Sequence, residues 1–235
     1  MAHIADNLKS TRERIQQLSL DAGRTVDDVC LIAVSKTRSL AEVKKAIAAG
    51  QTVFAENTVQ DALTKIPQLA ETTQSNLEWH FIGHLQSKKS KQVAENFQWI
   101  HTVDSLKLAQ KLSAAMQQHK PDGVLNCLLQ VNLSGEESKS GLSREELIAL
   151  LDKLVELNLP NLAWRGLMTI GVNDDVAETR KAFSNLRKLL EECQQRSGLK
   201  NFDQLSMGMS DDYAIAIEEG STMVRIGTDL FGKRQ

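Results

Sequence analysis

The sequence predicts a single (β/α)8 barrel with an extra N-terminal helix, residues 1–235 forming one domain. Three observations carry this expectation. About eight short strand-like runs alternate with longer amphipathic ones, the pattern of a TIM barrel. Several short runs are continuously apolar instead of alternating, as strands of a helix-covered parallel sheet must be. No linker, low-complexity tract or change in composition divides the chain. A doubly wound open sheet is the competing arrangement.

The elements follow in order. Residues 4–22 place Ile4, Leu8, Ile15 and Leu18 on one helical side, and Gly23 stops that helix. Cys30 to Val34 is the first strand, followed by a helix over 40–49 that ends at Gly50. Val53-Phe54 is a short second strand, and the helix from about 58 is disturbed near its end by Pro67. Strands are expected at 79–82, 99–103, 124–131, 163–168, 204–206 and 223–226. The intervening helices cover 87–96, 105–118, 143–157, 175–196 and 211–219.

Composition excludes several classes. Hydrophobic residues make up 41% and charged residues 25%, ordinary for a globular chain that needs neither disulfide nor metal to fold. A net charge of −2 argues against a dominant nucleic-acid or anionic-membrane partner. The basic stretch Lys88-Lys89-Ser90-Lys91 reads as a solvated helix face before it reads as a nucleic-acid site. No apolar run approaches the roughly 18 residues of a membrane span. Cys30, Cys127 and Cys193 are scattered, without a C-x-x-C, and no secretory signal pattern is present. A reducing cytoplasm is the expected compartment, with Cys30 and Cys127 as packed core thiols.

In a barrel, chemistry gathers where strands end, and phosphate commonly binds after strands 7 and 8. Those two ends read Ser206-Met207-Gly208-Met209-Ser210 and Arg225-Ile226-Gly227-Thr228, both Gly-bearing and hydroxyl-bearing turns. Such turns offer N–H groups to an anion without an obstructing side chain. Asp211 is expected to cap the following helix. Lys36, directly after the first apolar strand, either reaches solvent or sits in the barrel mouth. In the mouth, near Arg225, its amine would lose proton affinity and become a nucleophile. A lysine, a phosphate cup and a nearby arginine are what a pyridoxal 5′-phosphate (PLP) site requires.

These segments resemble a known family. Ala33-Val34-Ser35-Lys36-Thr37, Trp79 to Gly83 with Leu85-Gln86, Ser138 to Gly141, Arg165 to Met168, Leu205 to Ser210 and Met223 to Thr228 are similar to blocks of the YggS-type PLP homeostasis proteins. The resemblance runs essentially from end to end. It implies a barrel like the N-terminal domain of alanine racemase, without that enzyme's second domain. By the same resemblance Lys36 would hold PLP as a Schiff base, Ser206, Gly227 and Thr228 would bind its phosphate, and Arg225 would face the pyridine nitrogen. The implied role is PLP storage, delivery or buffering, without catalytic residues. The implied partners are PLP itself and the PLP-dependent apo-enzymes that receive it, with no nucleic acid and no membrane; a monomer is expected. Where the family usually has Phe-Gly-Glu-Asn-Tyr, this chain has Phe54-Ala55-Glu56-Asn57-Thr58. His84 and Lys88 also depart from the pattern.

Other candidates have blander readings. Asn57 either lines the cofactor or caps the helix after it. Met168 walls the pocket or fills core. His80 and His84 straddle a strand end and a glycine turn, so a metal pair is not expected, and His80 should pack or hydrogen-bond in the mouth. Lys139 is a solvated loop charge or a second PLP contact. Asp174-Asp175 is favourable charge at a helix start. A racemase-like PLP enzyme is the runner-up function, although the lone tyrosine, Tyr213, lies on an expected helix. An aldolase-like lysine is a third reading, but it leaves the two turns and Arg225 without a partner.

Overall fold

The computed structural model describes residues 3–72, 76–133, 140–172 and 175–233. The chain folds in the order α1 (Ile4–Asp21), β1 (Cys30–Val34), α2 (Leu40–Ala48), β2 (Val53–Glu56), α3 (Val59–Thr72) and β3 (Glu78–Phe81). A 3-10 turn (Ser87–Lys89) leads into α4 (Ser90–Asn96), then β4 (Trp99–Val103), α5 (Leu106–His119) and β5 (Leu125–Gln130). The second half continues with α6 (Arg144–Leu157), β6 (Leu162–Met168), α7 (Val176–Ser197) and β7 (Gln204–Ser206). It closes with α8 (Tyr213–Glu218), β8 (Met223–Ile226) and the single turn α9 (Thr228–Phe231).

The eight strands pair in sequence order, and β8 returns to β1 to close the barrel. That seam is parallel, with Arg225 opposite Ile32 and Ile226 opposite Ala33. The expected fold is therefore the observed one. Closure separates two apolar layers. Ile32, Val34, Ala55, Trp99, Leu128, Met168 and Met223 fill the barrel interior. Alternate residues of the same strands, such as Ala33, Phe54, Phe81 and Leu129, pack outward against the helices. Helix α1 buries Ile4, Leu8, Ile15 and Leu18 and packs on α2, α8 and α9.

Capping fixes where several helices start. Ser39 with Glu42 opens α2, and Ser143 with Glu146 opens α6, each as a reciprocal capping box. Asp175 caps α7 by accepting the Glu178 N–H at 3.0 Å, in line with the expected helix start; Asp174 lies outside the described residues. Pro67 does not end α3, which runs on to Thr72. The carbonyl that loses its donor belongs to exposed Leu63, while buried Ile66 and Leu69 anchor the turns on either side. Among the described residues no helix is long and apolar enough to cross a membrane.

Strands β6 and β7 approach closely at Gly166. Its φ is +147°, and a Cβ built there would lie 2.0 Å from the Gln204 carbonyl oxygen. Any side chain must push the two strands apart. Gly166→Ala is expected to destabilise the barrel by about 3 kcal/mol or more, combining backbone strain with overpacking. Urea unfolding checks this, as a lower midpoint at unchanged slope.

Candidate functional site at the barrel mouth

Side-chain alternation decides what the mouth contains. In β1, Ile32 and Val34 point inward and Ala33 outward. The ladder continues past the strand, because the Ser35 N–H donates to the Ala55 carbonyl at 3.0 Å. Ser35 then faces outward, where its Oγ donates to Glu56 Oε1 at 2.7 Å. The next position, half-buried Lys36, takes the interior side at the barrel's C-terminal end. Its neighbouring strand is β8, which carries Arg225 and leads into Gly227 and Thr228.

One buried ion cluster holds the Lys36 turn from both sides. Lys65 Nζ donates to the Ser35 carbonyl at 2.7 Å and to Glu56 Oε1 at 2.8 Å, and lies 3.0 Å from Asp61 Oδ1. On the far side of Lys36, the Thr37 N–H donates to Asp61 Oδ2 at 2.7 Å. This bond holds Thr37 at φ +63°, a left-handed conformation that a β-branched residue adopts only under restraint. Lys65 and Glu56 are almost wholly buried. Burial pushes the Glu56 carboxyl up to about 7, against the hydrogen bonds from Lys65 and Ser35. Burial also works against ionised Asp61, but the Thr37 N–H and Lys65 outweigh it and keep that carboxyl below its ordinary range.

Arg225 is buried inside the barrel, 4% exposed. One amino group donates to Ser206 Oγ at 2.7 Å and the other to the Thr169 carbonyl at 3.0 Å. Burial lowers the guanidinium to about 10, with Asp212 opposing the shift. Ser206, expected at the phosphate, is 0% exposed, and its hydroxyl bonds Arg225 and His101 within the interior. It faces Arg225, not the open cup, because the β7 alternation turns it inward. The hydroxyl beside the β8 turn is that of Ser210, which accepts the Asp229 N–H at 3.5 Å. Gly227 directly precedes α9, and a Cβ there would sit a tight 3.3 Å from the Val34 carbonyl, so β8 turns close to β1. Thr228 is exposed as the first residue of α9.

Other expected residues sort as follows. Thr58 Oγ1 accepts the Asp61 N–H at 3.2 Å, so Thr58 caps α3 and the capping role proposed for Asn57 is overturned. Asn57 is half-buried and lines a recess of about 240 Å³ with Phe81, His84 and Leu85. Met168 is 1% exposed within the interior cluster, forming a floor under the mouth. Asp211 does not cap α8; the residue before that helix is Asp212, whose Oδ1 accepts the Met209 N–H at 2.6 Å and braces the loop. His80 is buried and hydrogen-bonded, but inside the barrel between His101 and Glu78 and not in the mouth as expected, whereas His84 is exposed 3.8 Å from Asp104. Tyr213, the first residue of α8 after the β7 loop, is half-buried against the outer hydrophobic layer. Lys139 lies outside the described residues. Among the described residues no group of three or more His, Cys, Asp or Glu side chains gathers to hold a metal. Burial raises the Cys30 and Cys127 thiols, as suits packed, unreactive cysteines.

A cavity of about 290 Å³ opens over the β3–β6 side of the mouth and reaches Thr169, whose carbonyl holds Arg225. Sequence reasoning missed the Glu56–Asp61–Lys65 cluster, His101, Thr169 and the role of Ser210. A single carboxylate inside a strand (Glu56), a lysine four residues after Asp61, and a histidine inside the apolar run Trp99–Val103 were the available signals.

Comparison with known proteins follows this geometry. Residues 4–235 match the family described as alanine racemase, N-terminal domain. Proteins named pyridoxal phosphate homeostasis protein from Pseudomonas aeruginosa and Haemophilus influenzae are 48% and 45% identical to this chain. The alignments cover 100% and 99% of this chain, and 97% and 96% of those proteins. The chain belongs to the pyridoxal phosphate homeostasis protein family. The structure of PipY from Synechococcus elongatus with PLP bound superposes with a TM-score of 0.86 at 37% identity, over 97% of this chain and 100% of PipY. Alanine racemase from Corynebacterium glutamicum gives a TM-score of 0.68 at 19% identity, over 99% of this chain and 60% of the racemase, a likeness of fold alone.

The clamp around Lys36 makes two measurable statements. Lys65→Met strands the Glu56 carboxylate and the Ser35 carbonyl, and is expected to cost about 3–5 kcal/mol in urea unfolding. Glu56 titrates at about 7 when folded against 4.5 ordinarily, so between those pH values the folded state binds more protons than the unfolded state. This group therefore makes stability fall as pH rises through that window, by at most about 1.4 kcal/mol per pH unit, and level off above it. Glu56→Gln should remove that slope; an unchanged pH profile would show that the carboxyl does not titrate there.

Proposed function

We propose that the barrel mouth binds PLP covalently through Lys36, and that the chain stores PLP and hands it to PLP-dependent apo-enzymes instead of turning over substrates with it. The carrying observation is the clamp: Ser35 and Thr37 are both anchored to one buried ion cluster, which leaves the intervening Lys36 on the mouth side of β1 beside β8. Surface lysines do not receive such support.

The residues fit the cofactor on structural grounds. The buried Arg225 guanidinium forms no ion pair with a carboxylate among the described residues, and it stands one strand from Lys36. Ser210, Gly227 and Thr228 border the turn into α9, where N–H and O–H groups suit a phosphate. Asp229 stands close by, its carboxyl pushed up by burial and further by the charge of Asp211. The cup must therefore work through directed hydrogen bonds and not through net positive charge. Arg225 would face the ring nitrogen, Met168 would floor the ring, and Asn57 would border the site from β2. When bound, PLP supplies an aldehyde for a lysine amine and an electron-withdrawing ring. A guanidinium donor leaves the ring nitrogen unprotonated, which weakens that withdrawal.

The racemase-like reading requires acid–base groups on both faces of a substrate carbon. Tyr213, the one tyrosine of the chain, packs half-buried against the outer hydrophobic layer. The names of the homeostasis relatives and the PLP bound to PipY agree with the carrier reading.

Lys36→Ala is expected to lose the visible PLP absorption and the borohydride-fixed adduct; a retained adduct mapping to another lysine would refute the assignment. Ser210→Ala should weaken PLP binding about tenfold or more while barely changing pyridoxal binding, since a hydroxyl bonded to charged phosphate contributes roughly 1.5–3 kcal/mol. Equal weakening of both would remove Ser210 from the phosphate. Holo-protein incubated with L-alanine or L-serine in deuterated water should exchange α-protons no faster than free PLP does, and should pass PLP to an apo-enzyme. Fast exchange abolished by Lys36→Ala would establish an enzyme.

A further inference from the structure

Through the otherwise apolar barrel interior runs one unbroken line of polar side chains. Glu78 opens β3 on the N-terminal face of the barrel, 44% exposed. Its Oε1 lies 2.9 Å from His80 Nε2, His80 Nδ1 lies 2.8 Å from His101 Nε2, and His101 Nδ1 lies 2.8 Å from Ser206 Oγ. Arg225 completes the line by donating to Ser206 at 2.7 Å. Every member between Glu78 and the mouth is buried. Trp99 stacks on His80 at 5.3 Å and 4°, and Arg165 lies over Trp99, so the first imidazole is held in plane.

With Glu78 ionised and both imidazoles neutral, donor and acceptor chemistry leaves this line one proton order, set from the Glu78 end. A carboxylate only accepts, so His80 carries its proton on Nε2 and donates to Glu78, which leaves Nδ1 to accept. His101 then carries its proton on Nε2 and donates to His80 Nδ1. His101 Nδ1 accepts the Ser206 hydroxyl proton, and Ser206 Oγ accepts from the Arg225 guanidinium, which only donates. Burial, the largest cause in each case, lowers the proton affinity of His80 and lowers that of His101 far more, with His80 and Arg225 adding to it. Glu78 is held ionised first by its bond to His80.

We propose that His101, His80 and Glu78 are positioning residues for Arg225: with Ser206 they form a one-way relay, anchored by a carboxylate on the far face of the barrel, that fixes the guanidinium's orientation and keeps it a donor at the mouth. The functional weight of this relay rests on the reading that Arg225 faces the PLP ring nitrogen. Reversing the last link would make Ser206 Oγ accept from both His101 and Arg225, leave its own hydrogen without an acceptor along the line, and weaken the bond that holds the guanidinium. Residue 101 thereby acts on the cofactor without touching it.

Nitrogen-15 NMR of the imidazoles in the PLP-free protein tests the relay independently of the cofactor. His80 and His101 should both be neutral, protonated on Nε2 and unprotonated on Nδ1, from pH 6 to 8 (about one unit either side of neutrality, the range of ordinary histidine titration). A His101 proton on Nδ1, or a charged His101, overturns the relay. In the PLP-loaded protein, His101→Leu should shift the visible absorption maximum and weaken PLP about tenfold, the size of one lost hydrogen bond to a charged group. His101→Gln, whose amide both accepts and donates, should restore the wild-type spectrum and affinity. Glu78→Lys, a change on the open far face, places a donor where the relay needs an acceptor and should move the spectrum although it lies three links from Arg225. A folded His101→Leu or Glu78→Lys protein with wild-type spectrum and affinity overturns the positioning role. Failure of the wild type to form a Lys36 adduct refutes the site reading instead, and leaves the NMR result to decide the relay.

Discussion

A closed parallel barrel gives each strand residue one of two destinations, and the interior destination has no water. Whatever polar group the alternation turns inward must find its partners among the other inward groups. Arg225 is the costly case, because a guanidinium carries five donors and a charge that cannot be shed easily. Its needs explain Ser206 on the adjacent strand β7 and the Thr169 carbonyl just past β6. They also explain why two histidines stand among Ile32, Leu128 and Met223 in a space that would pack as well with aliphatic side chains. Neutral histidines pass a hydrogen bond through an apolar interior without adding a charge to it.

The same alternation separates the duties of neighbouring residues at the β1 end. Ser35 turns outward into the Glu56–Lys65 cluster, and Lys36 turns toward the mouth. The outward-facing support and the mouth-facing lysine therefore occupy consecutive residues, and much of the support comes from Asp61 and Lys65 of helix α3. Desolvation makes this support directional. Lys65 is satisfied only in the geometry that also anchors the Ser35 carbonyl, so any drift of the Lys36 turn exposes a buried cation to loss of a partner.

Much of this was legible in the sequence, for identifiable reasons. The strands were visible because those covered on both sides need continuous apolar runs, and β1, β4, β7 and β8 fall where the runs do. Strand β2 was read too short because its last residue, Glu56, is a buried carboxylate that looks like a strand end. Helix α9 has a single turn and no periodicity to detect. Lys36 was legible from its place after a buried strand. The inward turn of Ser206 was not, since the Gly-bearing segment 206–210 does not show which of its two serines faces the interior. Resemblance pointed to Ser206 for the phosphate; the hydrogen bonds give that hydroxyl to Arg225. Long-range pairs such as His101 with Ser206, 105 residues apart, leave no local trace at all.

The two buried cations are compensated in opposite ways, and the difference bears on function. Lys65 meets two carboxylates within 3.0 Å and has no unmet electrostatic demand. Arg225 meets a hydroxyl and a carbonyl, with Asp212 acting only through space. Neutral acceptors satisfy its donors but return little of the energy lost in removing its charge from water. Arg225 thus keeps a buried charge without an ion-paired carboxylate among the described residues, and an anionic ligand would add to its compensation. A fold arranged in this way gains stability on binding, rising with the logarithm of ligand concentration above Kd. For a member of the PLP homeostasis family, that coupling ties the stability of the barrel to the supply of its cofactor.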